Sequence, residues 1–89
     1  MQKKRRKLNK DLEKKIYSSK KDVELVLAKI YDIDDEDIQK EYIAAFNKVV
    51  YLYDELKENY EQKGFNDISN ELLANYKNAF NLFESEFEI

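Results

Sequence analysis

The stretch 33–65 constrains this chain more than any other, because both ends of one long helix are written into it. It opens Ile33-Asp34-Asp35-Glu36-Asp37-Ile38. Asp34 is placed to act as N-cap, its carboxylate accepting first-turn amide hydrogens. Asp35, Glu36 and Asp37 then lie against the positive end of the helix dipole. Ile33 and Ile38 flank that cap at the spacing of a hydrophobic staple. At the far end stands Gly64, the only glycine in the chain. A helix C-terminus there wants a left-handed residue, with Phe65 placed to touch Tyr60 across the turn.

Between these ends Ile38, Tyr42, Ala45, Val49, Leu52 and Leu56 step by three and four, and Ile43, Phe46, Val50, Tyr53 and Tyr60 form a second row beside them. At about 100° per residue the rows cover roughly half the circumference, wider than the seam that meets one partner helix. Such a face expects two neighbours.

The flanking sequence supplies them. Leu8, Leu12, Ile16, Val23, Val26, Leu27 and Ile30 share one face, predicting a helix over 9–31. The pattern thins at Ser18-Ser19, where Ser19 and Asp22 resemble a capping box, so a short basic helix followed by a second helix from Ser19 is the alternative. Beyond Gly64, Asn66 or Asp67 can cap a last helix over 67–87, in which Phe65, Ile68, Leu72, Tyr76, Ala79, Phe83 and Phe87 recur by three and four, widened by Leu73 and Phe80. Its asparagines, Asn70, Asn75, Asn78 and Asn81, are poor helix formers, so packing must hold it. The chain contains no proline, and strand signals are missing. The expected fold is all-α: an elongated antiparallel three-helix bundle, up-down-up, with the helices at about 9–31, 35–63 and 67–87 in one domain over 9–89 and a basic arm over 1–8.

Charge is distributed unevenly. Residues 1–21 carry ten Lys and Arg against Asp11 and Glu13, a net of +8, while residues 22–89 carry six Lys against seventeen acids, a net of −11. The arm begins with five consecutive cations, Lys3, Lys4, Arg5, Arg6 and Lys7, whose mutual repulsion predicts a disordered or frayed segment when alone. With Lys10, Lys14 and Lys15 these residues are the candidates for contact with phosphates of nucleic acid or another anionic partner. No base-reading apparatus accompanies them.

Catalytic chemistry has little to work with. The chain holds neither cysteine nor histidine, which removes thiolate nucleophiles, disulfides, the usual zinc sites and the commonest general base. Ser18, Ser19, Ser69 and Ser85 have no histidine to activate them, and no glycine-rich phosphate loop is present. The cluster Asp32, Asp34, Asp35, Glu36 and Asp37 begins like a calcium loop, but the sixth position is not glycine and the twelfth is Ile43. A non-enzymatic protein without metal or cofactor is therefore expected. No apolar run approaches a membrane span, and the basic start lacks the apolar core of a secretion signal. A soluble, cytoplasmic protein is the expectation.

Two apolar residues fall outside the helical faces. Leu25 projects away from Val23, Leu27 and Ile30, and Tyr51 lies opposite the Ala45-Val49-Leu56 row. Together with the acids Asp54, Glu55, Glu58 and Glu61 they are the candidates for contact with a protein partner or a second copy. The function these features favour is a small helical interaction module, an adaptor, regulator or inhibitor, whose acidic bundle docks on a basic surface of another protein. A nucleic-acid accessory protein working through the arm is the alternative. In size and composition the chain is also similar to bacteriocin immunity proteins and to phage or plasmid regulators, with no motif particular to either. Its wealth of Lys, Asn, Ile and Tyr fits an AT-rich coding sequence from a low-GC bacterium.

Overall fold

Each helix forms where an apolar stripe coincides with a usable start and stop. In the computed structural model, which describes residues 8–87, these are α1 Lys10–Tyr31, α2 Glu36–Lys63 and α3 Ser69–Glu86. They make the expected antiparallel three-helix bundle, measuring 59 × 19 × 18 Å. Residues 1–7 of the basic arm, with Glu88 and Ile89, lie outside the described residues.

Helix α1 starts at Asn9, whose side-chain oxygen accepts the Leu12 N–H at 3.0 Å. It runs unbroken through Ser18-Ser19. The Ser19 hydroxyl donates to the Lys15 carbonyl at 2.7 Å, one turn back, and so does not cap a new helix. Leu12, Ile16, Val23, Val26 and Ile30 are buried as their spacing predicts, whereas Leu8 precedes the helix and is exposed.

The start of α2 differs from expectation by one residue. The N-cap is Asp35, not Asp34, and its carboxylate accepts from both Asp37 N at 2.9 Å and Ile38 N at 3.1 Å. The shift breaks the staple register, and Ile38 is exposed. It also puts Gln39 within reach of the end of α1. The Gln39 side-chain amide is shared among the carbonyls of Tyr31 at 3.2 Å, Ile30 at 3.3 Å and Ile33 at 3.4 Å, at the end of α1 and in the turn after it.

Gly64 ends α2, its N–H donating to the Tyr60 carbonyl at 2.7 Å. Its φ is positive as expected, but φ 70° with ψ −158° is a more extended conformation than the left-handed helical one, in a region that is essentially glycine's alone. The turn that follows is organised by Asn66. Its side-chain amide donates to the Asn59 side chain and the Gly64 carbonyl, each at 2.8 Å, and its oxygen accepts from Ile68 N at 3.1 Å. Ser69 closes the loop by accepting from Asn66 N at 2.9 Å. With Asn66 so engaged, α3 begins two residues later than expected. Neither Asn66 nor Asp67 is its cap, and Ile68, at the cap position, supplies no side-chain bond and is exposed.

The core sits on α2. Phe46, Val49, Tyr53 and Leu56 are buried between Leu12, Ile16, Val23, Val26 and Ile30 of α1 and Leu73, Tyr76 and Phe83 of α3. The α2–α3 side is aromatic: Phe46 meets Phe83 at 4.8 Å and Phe80 at 6.1 Å between ring centroids, Tyr42 meets Phe87 at 4.9 Å, and Tyr53 meets Tyr76 at 5.9 Å. Pairs of this geometry add about 0.5–1.5 kcal/mol each beyond burial. At the other end of α1 the Tyr60 hydroxyl accepts the Asn9 N–H at 3.1 Å and donates to Glu13 at 2.7 Å, tying the start of α1 to the end of α2.

Two substitutions read this construction in urea unfolding followed by circular dichroism. Phe46→Ala, at a side chain with no exposure, is expected to cost about 3–5 kcal/mol. Gly64→Ala, which forces a Cβ into a glycine-only region, is expected to cost about 1–3 kcal/mol with the helix content unchanged.

Candidate functional site

The sequence candidates for protein contact fall on three different seams. Tyr51, Asp54, Glu55 and Glu58 step along α2 at helical spacing, opposite its buried row, and all four are exposed. Tyr51, 61% exposed, donates its hydroxyl to Glu55 at 3.0 Å, and that bond to the carboxylate, with its charge, pushes the phenol above its ordinary pKa. These four residues border a shallow hollow of about 400 Å³ between α2 and the start of α3, where Ile68 and Leu72 supply an apolar wall and Lys63 a cation.

The remaining two candidates lie elsewhere. Glu61 turns into the α1–α2 seam, beside Glu13, Lys20 and Lys57, where acids and lysines alternate around a hollow of about 240 Å³. Leu25, 57% exposed, lines the α1–α3 seam. That seam is the most open one: no Cα of α1 comes within 8 Å of a Cα of α3, and a groove of about 550 Å³ runs between them. Val26, Tyr76 and Phe80 lie in the groove, with Lys15, Lys29 and Lys77 alongside Asp22 and Glu84.

Tyr76 spans this seam, its hydroxyl donating to the Ser19 carbonyl at a long 3.5 Å. Burial, reinforced by the charge of Asp22, pushes its phenol up to about 12. Tyr53, which packs against it, is raised as well, chiefly by burial.

Of the cationic candidates, Lys10, Lys14 and Lys15 are exposed on α1, and Lys3, Lys4, Arg5, Arg6 and Lys7 lie outside the described residues. Lys15 points into the α1–α3 groove. Lys10 and Lys14 share an outer stripe with Tyr17 and Lys21, whose ammonium sits 4.9 Å from the Tyr17 ring centroid. The sequence reading passed over Tyr17 and Lys21, although their spacing from Lys10 and Lys14 carried the signal.

The acidic cluster before α2 has its own employment in the fold. Asp35 caps the helix, and Glu36 and Asp37 occupy its first turn, where negative charge is stabilised. No helix among the described residues is long and apolar enough to cross a membrane. Comparison with protein-family models, with curated proteins and with solved structures gave no match to this chain.

Tyr76 makes the fold sensitive to alkali. The folded protein holds this proton to about pH 12, whereas an unfolded tyrosine releases it near pH 10. The stabilisation is complete below pH 10 and is lost as the pH rises through 12. Urea midpoints measured from pH 9 upward are expected to fall more steeply for the native chain than for Tyr76→Phe.

Proposed function

We propose that this protein is a non-enzymatic helical interaction module, an adaptor, regulator or inhibitor, whose acidic face docks on a basic surface of a partner protein. One observation carries the reading: Tyr51, Asp54, Glu55 and Glu58 form a single exposed stripe that borders a hollow with an apolar wall. A charged rim beside apolar area is the usual anatomy of a docking patch. The charges steer and select the partner while the apolar residues contribute holding energy. Residues 22–89, with a net charge of −11, supply a field of the same sign around the patch.

The α1 stripe supports a second reading, nucleic-acid contact. Lys10, Lys14 and Lys21 line up with an exposed Tyr17, continuing the charge of Lys3 to Lys7. Basic residues interleaved with an aromatic suit phosphates and a stacked base. The acidic remainder of the chain opposes this reading by repelling a polyanion.

Retention of the protein's partners from an extract of the source cell, at salt from about 50 to 200 mM, tests the first reading. A basic protein retained by the native chain is expected to be lost from the triple variant Asp54→Asn, Glu55→Gln, Glu58→Gln, and to elute as salt rises. Unchanged retention by that variant defeats the proposal. Nucleic-acid affinity that falls by several ions' worth of salt dependence, and disappears when residues 1–7 are removed, would put the second reading first.

A further inference from the structure

The hollow beside Tyr51 continues along the bundle. Helix α3 presents Ile68, Leu72, Ala79 and Leu82 toward the α2–α3 seam at helical spacing, and two of them, Ile68 at 43% and Leu82 at 59%, are well exposed. A second, smaller hollow of about 90 Å³ opens where Ala45 of α2 and Ala79 of α3 leave room above Val49 and Phe83. Neither hollow has an α1 residue in its wall. Both therefore belong to one side of the bundle, which presents two depressions along a common line.

Their separation is set by α3. From the midpoint of Ile68 and Leu72 to that of Ala79 and Leu82 is about 11 residues of helix, or about 16 Å. An α-helix laid along the seam repeats its own face over the same distance, so its residues i and i+11 fall in the two hollows with i+4 and i+7 between them. An extended strand turns alternate residues away and has no such match.

The charge around the seam selects the occupant. Asp54, Glu55 and Glu58 lie at the first hollow and Glu86 at the second, against Lys63 and Lys48. A second copy placed face to face about a twofold axis across the seam sets Asp54, Glu55 and Glu58 against the balanced pair Lys48 and Glu86 of its mate, which leaves their charge largely unanswered. A helix with Lys or Arg along one flank meets the opposite situation.

We infer that the α2–α3 seam is a groove for a basic amphipathic helix of about 18 residues. The helix places aliphatic side chains in the two hollows at i and i+11 and its cations along Asp54, Glu55 and Glu58. This inference rests on the acidic docking reading above and specifies the element the partner supplies.

Three synthetic peptides of about 18 residues decide it, titrated into the isotopically labelled full chain with amide shifts and affinities as readout. One carries Leu at i, i+4, i+7 and i+11 with Lys on one flank; the second has the same composition with the Leu positions scrambled; the third replaces Lys by Glu. The first is expected to bind at least about tenfold more tightly than the second, with shifts at Tyr51, Leu72, Ala79 and Leu82. Ile68→Gln and Leu82→Gln, both at exposed positions that leave the core intact, are expected to abolish that advantage. Equal affinity for the first two peptides removes the groove but leaves the acidic docking face standing, whereas no binding of either removes both. Comparable binding of the acidic peptide, shifts confined to the α1–α3 groove, or concentration-dependent dimerisation through Leu82 would each overturn the inference.

Discussion

Everything in this bundle depends on one helix having to hide half of its surface. Phe46, Val49, Tyr53 and Leu56 form its central stripe, and the partly buried Ile43 and Val50 on one flank with Ala45 and Leu52 on the other make the whole face too wide for one neighbour to cover. A second helix is therefore a thermodynamic requirement, since each large apolar side chain left in water forgoes about 1.5–3 kcal/mol. The flanking helices need α2 in return. Helix α3 is weak in intrinsic propensity, with four asparagines on its polar side. What holds it is the line of rings it lays against Tyr42, Phe46 and Tyr53.

Polar groups at the ends convert this burial into a defined register. Gln39 fastens the α1 terminus to the start of α2, Tyr60 fastens the other end of α2 to Asn9 and Glu13, and Asn66 builds the second turn. Bonds between neutral groups such as those of Gln39 and Asn66 are worth only about 0.5–1.5 kcal/mol net each. Their effect is to make any sliding of one helix past another cost several bonds together. The outward stripe of α2 is thereby held steady relative to Ile68 and Leu72, and a surface made of two elements behaves as one.

The helices and their core faces were legible in the sequence because a period near 3.6 is imposed by geometry and survives any detail of the turns. The joints were less so. Asp34 and Asp35 are chemically equivalent caps, and the use of Asp35 goes with a contact invisible along the chain, the Gln39 amide on carbonyls of the preceding helix. The same holds for Asn66, which looks like a cap when read along the chain and is instead consumed by Asn59 and Gly64. For the candidate site, exposure of Leu25 and Tyr51 could be read from their position off the apolar rows. The sequence could not say that Tyr51 shares a hollow with Ile68 while Leu25 and Glu61 face other seams, because that depends on how the helices are arranged in space. Ile38 and Ile68, on the apolar rows by spacing, are exposed in the first turn of α2 and at the cap position of α3.

The gap between α1 and α3 has an energetic corollary. Because their backbones stay apart, α1 is attached through α2, with Tyr76 and Ser19 as a thin bridge across the seam. The α2–α3 pair, by contrast, holds the aromatic contacts. Detachment of α1 alone breaks fewer interactions than global unfolding, so opening that leaves the antiparallel α2–α3 hairpin in place costs less than unfolding the whole chain. Such opening uncovers the α1-facing flank of α2 while Tyr53 keeps its ring contact with Tyr76.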